Sequence, residues 1–438
     1  MISSKTSAGI NGIVKIPGDK SISHRSIIIP SIANGICEIT NILNSDDVIK
    51  TKTAFLEMGV KMEEINNKLI IYGKGLNSLN KPTKPIYLGN SGTSARLLTG
   101  LLSSQNFDSK ITGDKSLTSR PMGRIADPLK LMNAKIETLK GKLPISIYGG
   151  NLNNARVKID IPSAQIKSGV LLAAINTAGK SEIIENNITR NHTEIMLEEF
   201  GAEISIKKLS EKKQIISING KKELKSKNIT VPSDLSSSAF FIVAALINEN
   251  SNININNVNI NPTRSGILTA LKKMGAKINL INKRKINNED IADLNVQYSQ
   301  LNGCELNSDM AKLMIDEYPI LSVAAAFANS SSIFRGLNEL KVKESDRLEL
   351  IRSNLLNCGC TCNVKDNDLY IDPISKNVKN VMPRITTNFD HRIAMSFAVF
   401  GSKYGKVQIE EADCINTSFP SFKNEFNKAG GKLYWKNL

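Results

Sequence analysis

One five-residue pattern recurs six times along the chain, and a sequence that repeats itself at a near-constant period folds as copies of one supersecondary unit. The copies are MGVKM (58–62), MNAKI (132–136), FGAEI (200–204), MGAKI (274–278), CGCTC (358–362) and AGGKL (429–433). Their second residues, Gly59, Asn133, Gly201, Gly275, Gly359 and Gly430, are spaced 74, 68, 74, 84 and 71 residues apart. Gly or Asn is what a left-handed helix C-cap requires. Each copy follows an amphipathic stretch and leads into alternating residues that read as the start of a strand. On this alignment Cys358, Cys360 and Cys362 take the places of Met58, Val60 and Met62. They are therefore expected as small apolar core residues and not as metal ligands.

A second pattern runs in step with the first. Small polar clusters precede long apolar runs: SISHRSIIIPSIA (21–33), SGTSARLLTGLL (91–102), SAQIKSGVLLAAI (163–175), SDLSSSAFFIVAALI (233–247), DEYPILSVAAAFA (316–328) and DHRIAMSFAVFG (390–401). Helices apolar nearly all round are buried, and Ser, Asp or Asn before them are good N-caps. Each unit then reads as buried helix, strand, surface helix and one or two strands. Six such units make two pseudo-symmetric α/β domains of three (α+β by some schemes). GIVKIPGDKS (12–21) and ITVPSDLS (229–236) look like equivalent passages between them. Residues 1–19 and 231–438 are expected in the domain holding both termini, and 20–230 in an inserted one, with crossovers near 18–20 and 230–234.

The net charge of +16 raises the possibility of nucleic-acid binding. Much of the excess is lysine in solvated segments such as 207–228, and aromatic residues are only 5%, too few for stacking platforms. The arginines are used differently. They number 13, and seven of them (Arg25, Arg96, Arg120, Arg190, Arg264, Arg347, Arg392) fall at helix starts of the repeat. A helix N-terminus offers free N–H groups and positive potential, and a guanidinium adds a fork for a bidentate contact with phosphate or carboxylate. Gly92 lets backbone approach an anion closely. The chain is expected to bind small anionic substrates between its halves.

The acids nearest this chemistry are Asp316 and Glu344; alone, the first reads as an N-cap and the second as a salt-bridged first-turn acid. The three histidines, His24, His192 and His391, lack metal-ligand spacing. There is no GxSxG elbow, Walker loop or GxGxxG after a strand. None of the six cysteines forms a CxxC pair. No apolar run approaches the roughly 20 residues that span a bilayer, and the N-terminus shows no secretory pattern. A cytoplasmic location is expected.

PGDKSISHRS (17–26), NSGTSARLL (90–98), TGDKSLTSRPMGRI (112–125), PSAQIKSGVLLA (162–173), RNHTEIML (190–197), DEYPIL (316–321), KESDRL (343–348) and FDHRIAMSF (389–397) together resemble the EPSP synthase family, the 3-phosphoshikimate 1-carboxyvinyltransferases. The resemblance runs from about residue 5 to the C-terminus. It implies two domains of three βαβαββ units each, with the active site in the cleft between them. It also implies transfer of the enolpyruvyl group of phosphoenolpyruvate to the 5-hydroxyl of shikimate 3-phosphate, for chorismate and aromatic amino-acid synthesis. By that resemblance Lys20, Ser21, Arg25, Ser163, Gln165, Arg190, Asp316 and Lys343 hold shikimate 3-phosphate. Lys20, Gly92, Arg120, Gln165, Arg347 and Arg392 hold phosphoenolpyruvate. Asp316, Glu344 and Lys20 are catalytic, the two acids as the proton-transfer pair. The chemistry needs no metal or cofactor. The implied partners are these two small anions, without nucleic acid or membrane, and the protein is expected to be a monomer. Glyphosate is the family's inhibitor at the phosphoenolpyruvate place.

Two positions depart from the family pattern. Thr417 stands where many members carry Lys before Ser/Thr-Phe-Pro, which leaves one phosphate contact to another residue. Ala164 stands where some have a second Ser. The sister transferase acting on UDP-N-acetylglucosamine shares the fold, but is marked by a Lys-Asn pair at the first helix and a loop Cys. Here Lys20 is followed by Ser21, and the 112–121 loop has no Cys.

Overall fold

A computed structural model describes residues 1–375 and 382–435. Among these residues the six repeats appear as six four-stranded sheets. In each, one edge strand pairs parallel with its neighbour; in five a hairpin completes the sheet, and in the sixth the N-terminal strand Ile2–Lys5 lies between Val407–Ile409 and Lys432–Trp435. The third unit shows the pattern in order. Arg156–Ile159 pairs parallel with Lys180–Glu185, which pairs antiparallel with Gln214–Asn219, and that strand with Glu203–Lys208. A parallel pair needs a crossover, and the buried helix Ala164–Ala174 supplies it. Helix His192–Glu199 then leads into the hairpin. This is the βαβαββ order.

All six of the second residues in the recurring pattern adopt positive φ, from 65° at Asn133 to 111° at Gly430, as left-handed C-caps require. The cysteine triplet lies in the core, with Cys358, Cys360 and Cys362 all buried. Burial pushes the Cys360 and Cys362 thiols up to about 12.

The chain divides into two compact units. One comprises Met1–Pro17, Pro232–Arg284 and Asp290–Leu438; the other comprises Gly18–Val231 with Lys285–Glu289. The last piece is the end of the Lys277–Ile286 and Glu289–Gln297 hairpin, an excursion that the repeat pattern alone does not announce. The N-terminal strands belong with the C-terminal half. Ile2–Lys5 pairs with Val407–Ile409 and Lys432–Trp435, and Asn11–Val14 pairs with Asn252–Asn259. Each unit has one continuous apolar core.

The buried helices fill these cores. All 13 residues of Leu235–Ile247 are buried. Removing each Leu, Ile or Phe side chain from water is worth about 1.5–3 kcal/mol, so such a helix has no stable exposed alternative. Helices Gly92–Ser103 and Ala164–Ala174 approach backbone to backbone through two glycines: a Cβ on Gly100 would stand 1.9 Å from the Gly169 carbonyl oxygen. Five of the six buried helices are capped as the sequence predicts, by the side chains of Asp19, Ser91, Ser163, Asp234 and Asp390. The exception is Tyr318–Ala326. Its cap position is Glu317, with no side-chain cap bond, so Asp316 is not an N-cap and its carboxylate is turned to other partners.

Candidate active site

The unit containing Gly18–Val231 assembles its charged groups at three helix starts. Lys20 and Ser21 open helix Lys20–Ser31 behind the Asp19 cap, and the Lys20 ammonium is paired with Asp47. Arg25, one turn on, is buried and makes three bonds. Nε donates to Thr193 Oγ1 (2.6 Å), Nη2 to Ser168 Oγ (2.7 Å) and Nη1 to the Ser21 carbonyl (2.8 Å). Burial lowers its pKa to about 10, although Glu194 and Asp19 pull the other way.

Gly92 begins helix Gly92–Ser103, whose cap Ser91 accepts from Ser94 N. Arg120 is buried, and its Nη2 donates to Asn90 Oδ1 and Ser116 Oγ. A Cβ on Gly92 would meet Arg96 Nη1 at 2.9 Å and Arg120 Nη1 at 3.0 Å, so the glycine is what lets two guanidinium groups crowd this helix start. Ser163 caps the third helix. Gln165 follows, with its amide fixed from both ends: Arg96 Nη1 donates to Oε1 (2.6 Å), and Nε2 donates to Thr93 Oγ1 (2.9 Å). Arg190 lies half-buried just before helix His192–Glu199.

Behind these groups runs a buried hydroxyl chain. His24 Nδ1 lies 2.8 Å from Thr51 Oγ1, Thr51 bonds Ser94 (2.5 Å), and Ser94 bonds Ser91 (2.6 Å). Burial, then Lys20 and Arg25, hold the imidazole well below its ordinary pKa, so it is neutral at physiological pH.

The unit containing both termini gathers Asp316, Lys343, Glu344, Arg347 and Arg392. Arg347 is fully buried at the first position of helix Arg347–Asn357 and faces three carboxylates. Its Nη2 lies 2.6 Å from Glu344 Oε2, its Nη1 3.2 Å from Asp316 Oδ1, and its Nε 2.8 Å from Asp390 Oδ2. Burial pulls the guanidinium pKa down, but Asp390, Glu344 and Asp316 raise it above the usual value. Lys343 Nζ lies 3.8 Å from Asp316 Oδ1, and Arg392 Nη1 donates to the Asp316 carbonyl (3.2 Å). Thr417, at the place of the family's Lys, lies 3.2 Å from His391 Nδ1 through its Oγ1, which also donates to the Cys414 carbonyl (2.8 Å).

Asp47, Thr93, Arg96, Ser168, Thr193 and Asp390 each hold one of these side chains in place. Reading the sequence for site chemistry singled out Arg96 only as a helix-start arginine and the others not at all. Asp390 had a visible signal, since Asp before an apolar run is an N-cap; its second contact, to Arg347, had none.

A family model for EPSP synthase (3-phosphoshikimate 1-carboxyvinyltransferase) matches residues 4–426. A 3-phosphoshikimate 1-carboxyvinyltransferase from Bartonella quintana (strain Toulouse) is 44% identical over 435 residues, 99% of this chain and 98% of its own length. One from Ruthia magnifica subsp. Calyptogena magnifica is 43% identical, covering 97% of each. The solved EPSP synthase from Acinetobacter baumannii superposes with a TM-score of 0.86 at 40% identity over 100% of both chains. The enolpyruvyl transferase NikO from Streptomyces tendae, at 14% identity and a TM-score of 0.78 over 100% of this chain and 99% of its own, shares the fold.

Proposed function

The chain belongs to the EPSP synthase family, and on that premise we propose how its residues divide the work of a 3-phosphoshikimate 1-carboxyvinyltransferase. The reaction moves the enolpyruvyl group of phosphoenolpyruvate to the 5-hydroxyl of shikimate 3-phosphate and releases phosphate. Protonation of the methylene carbon makes C2 cationic, the hydroxyl oxygen attacks C2, and loss of a methyl proton expels phosphate from the tetrahedral intermediate. One group must take the hydroxyl proton and one must serve the methylene. Asp316 and Glu344 fill these roles, with Asp316 facing the hydroxyl.

The observation that carries this assignment is the shared guanidinium. Arg347 touches both acids at 3.2 and 2.6 Å, so a phosphate arriving at Arg347 competes for the same N–H groups and changes the electrostatics of both acids at once. Lys343 lies within 3.8 Å of the same Asp316 oxygen and assists with shikimate 3-phosphate. Arg392, Arg120 and the Gly92 helix start take the phosphoenolpyruvate anion. Lys20, Ser21, Arg25, Ser163, Gln165 and Arg190 take shikimate 3-phosphate, with Lys20 and Gln165 also reaching phosphoenolpyruvate. Fixed charges of this kind, set before the substrates arrive, supply most of the rate. No protein nucleophile takes part. All six cysteines are unpaired, buried thiols, which suits the reducing cytoplasm.

The test is phosphate release from phosphoenolpyruvate with and without shikimate 3-phosphate. Release that requires both substrates and yields the enolpyruvyl ether supports the reading; release from phosphoenolpyruvate alone at the same rate rejects it.

A further inference from the structure

Arg25 cannot bind an anion well unless its guanidinium is held with the right edge outward, and its neighbours in sequence provide only the Ser21 carbonyl. The remaining support comes from two hydroxyls far along the chain. Thr193 Oγ1 receives Nε, Ser168 Oγ receives Nη2, and the two hydroxyls are themselves bonded at 2.6 Å. Groups that close together occupy one edge of the guanidinium. A guanidinium has five N–H donors in a fixed plane. With three engaged by Thr193, Ser168 and Ser21, the two left over are one on Nη1 and one on Nη2. These form the end-on fork that matches a pair of anionic oxygens.

The two hydroxyls are themselves fixed from behind. Ser168 sits on helix Ala164–Ala174 and Thr193 on helix His192–Glu199. The adjacent residues, Lys167 and Glu194, form an ion pair at 2.7 Å, and Lys167 also meets Glu185 at 3.1 Å. All three side chains are at most 2% exposed. Buried charges tolerate little displacement from their partners, so this cluster sets the spacing of the two helices and with it the spacing of the two hydroxyls.

We propose that Ser168 and Thr193 are positioning residues for shikimate 3-phosphate. Their hydroxyls take one edge of Arg25 and leave the Nη1–Nη2 fork for an oxygen pair of the substrate, and the Lys167–Glu194 pair fixes the geometry from behind. This rests on the reading of Arg25 as a shikimate 3-phosphate ligand. Neither hydroxyl touches the substrate; each acts through Arg25.

Thr193→Val removes one hydroxyl at nearly constant shape, and Ser168→Ala removes the other. Steady-state kinetics in each variant are expected to show the KM for shikimate 3-phosphate raised about tenfold, the size expected for misdirecting one charge-assisted contact. The KM for phosphoenolpyruvate and kcat are expected to change less than about threefold. Thr193→Ser keeps the hydroxyl and is expected to restore the parent KM. In an Arg25→Ala background, Thr193→Val is expected to add nothing. Folding is checked by circular dichroism, and if Thr193→Val does not fold, Ser168→Ala and its combination with Arg25→Ala decide alone. Equal rises in both KM values, or a fall confined to kcat, would mean general packing and overturn the proposal. So would unchanged constants in variants that fold, provided Arg25→Ala raises the shikimate 3-phosphate KM. If Arg25→Ala itself leaves that KM unchanged, the assignment of Arg25 fails, and the clamp falls with it.

Discussion

The Arg347 guanidinium lies edge-on to the Asp390 carboxylate, with Nε to Oδ2 at 2.8 Å and Nη2 to Oδ1 at 3.4 Å. Asp390 is fully buried and does more than pair with Arg347. Its Oδ1 caps helix His391–Tyr404 by accepting from Arg392 N (2.9 Å), and its Oδ2 takes the Ser345 hydroxyl (2.9 Å). One carboxylate thus fixes Arg347, the start of the Arg392 helix and the residue beside Glu344.

Asp390→Ala removes a cap and one member of a buried pair together. The expected loss is about 3–5 kcal/mol of unfolding free energy, mostly from leaving Arg347 short of a partner, with about 1 kcal/mol from the cap. Asp390→Asn keeps a cap acceptor and should lose less stability. It should still raise the KM for phosphoenolpyruvate, because Arg347 is no longer held flat. Urea titrations and steady-state kinetics on both variants check this. A loss under about 1 kcal/mol in Asp390→Ala would contradict it.

Asp316→Ala and Glu344→Ala should each fold, since neither side chain caps a helix, and each should cost at least about 10²-fold in turnover as a lost proton-transfer group. Their binding behaviour should differ. On the proposed assignment Asp316 serves the 5-hydroxyl, and it sits beside Lys343, so its loss should weaken shikimate 3-phosphate more than the loss of Glu344. Calorimetric titration of shikimate 3-phosphate into both variants separates them. Parent-like turnover in either one would reduce that acid to a counter-ion for Arg347.

The repeat made the fold legible because both of its signals are local. A C-cap needs Gly or Asn at one position, and a buried helix needs an apolar run; the six positive-φ residues and the apolar helices followed. The site was legible only in part. Arginines at helix starts point to anion binding, but what aims each arginine comes from distant parts of the sequence. Arg25 and Thr193 are 168 residues apart, and Gln165 and Arg96 are 69 apart. Serine and threonine in an apolar helix look alike in sequence whether they bond a guanidinium or their own helix backbone, as Thr99 does. Asp316, taken alone, reads as a cap for a related reason. Asp before a buried helix is a strong cap signal, yet the helix starts one residue later and the carboxylate goes to Arg347.

His24 should make the fold sensitive to mild acid. Its Nδ1 has Thr51 and Ser94, while its Nε2 is buried with no hydrogen-bond partner among the described residues. Burial, then the charges of Lys20 and Arg25, disfavour the imidazolium, which is why the folded pKa lies well below 6.5. The unfolded chain takes the proton near 6.5 and the folded chain does not. Stability is therefore unaffected by His24 above that pH, and falls as pH drops from 6.5 towards the lower folded pKa. The slope contributed is at most about 1.4 kcal/mol per pH unit. His24→Asn, compared with the parent by urea denaturation at pH 7.5 and 5.5, should close its stability deficit as the pH is lowered. A deficit that stays constant between the two pH values would show that His24 is not held neutral.

Gly92→Ala should separate phosphoenolpyruvate from glyphosate. From sequence alone, a methyl at Gly92 would be expected to intrude on the space an inhibitor longer than phosphoenolpyruvate needs. In the structure its first neighbours are two guanidinium ends, Arg96 Nη1 at 2.9 Å and Arg120 Nη1 at 3.0 Å, with Leu117 Cδ1 at 3.7 Å. Arg96 is tied to Gln165 and the Pro121 carbonyl, and Arg120 to Asn90 and Ser116. The methyl must therefore displace both guanidinium ends by a few tenths of an ångström, and on the reading of Arg120 as a phosphoenolpyruvate ligand that alters the donors of the anion site. A short ligand can follow donors that move together. A longer one, already filling the site, meets the displaced guanidinium as a clash, and a well-packed site does not absorb one methyl freely. The KM for phosphoenolpyruvate should rise a few-fold, and the glyphosate inhibition constant about tenfold or more beyond that, within the usual worth of one methyl in a tight pocket. Inhibition titrations of both forms at matched phosphoenolpyruvate saturation measure the two shifts. Equal shifts would mean that the displaced arginines do not lie where the two ligands differ.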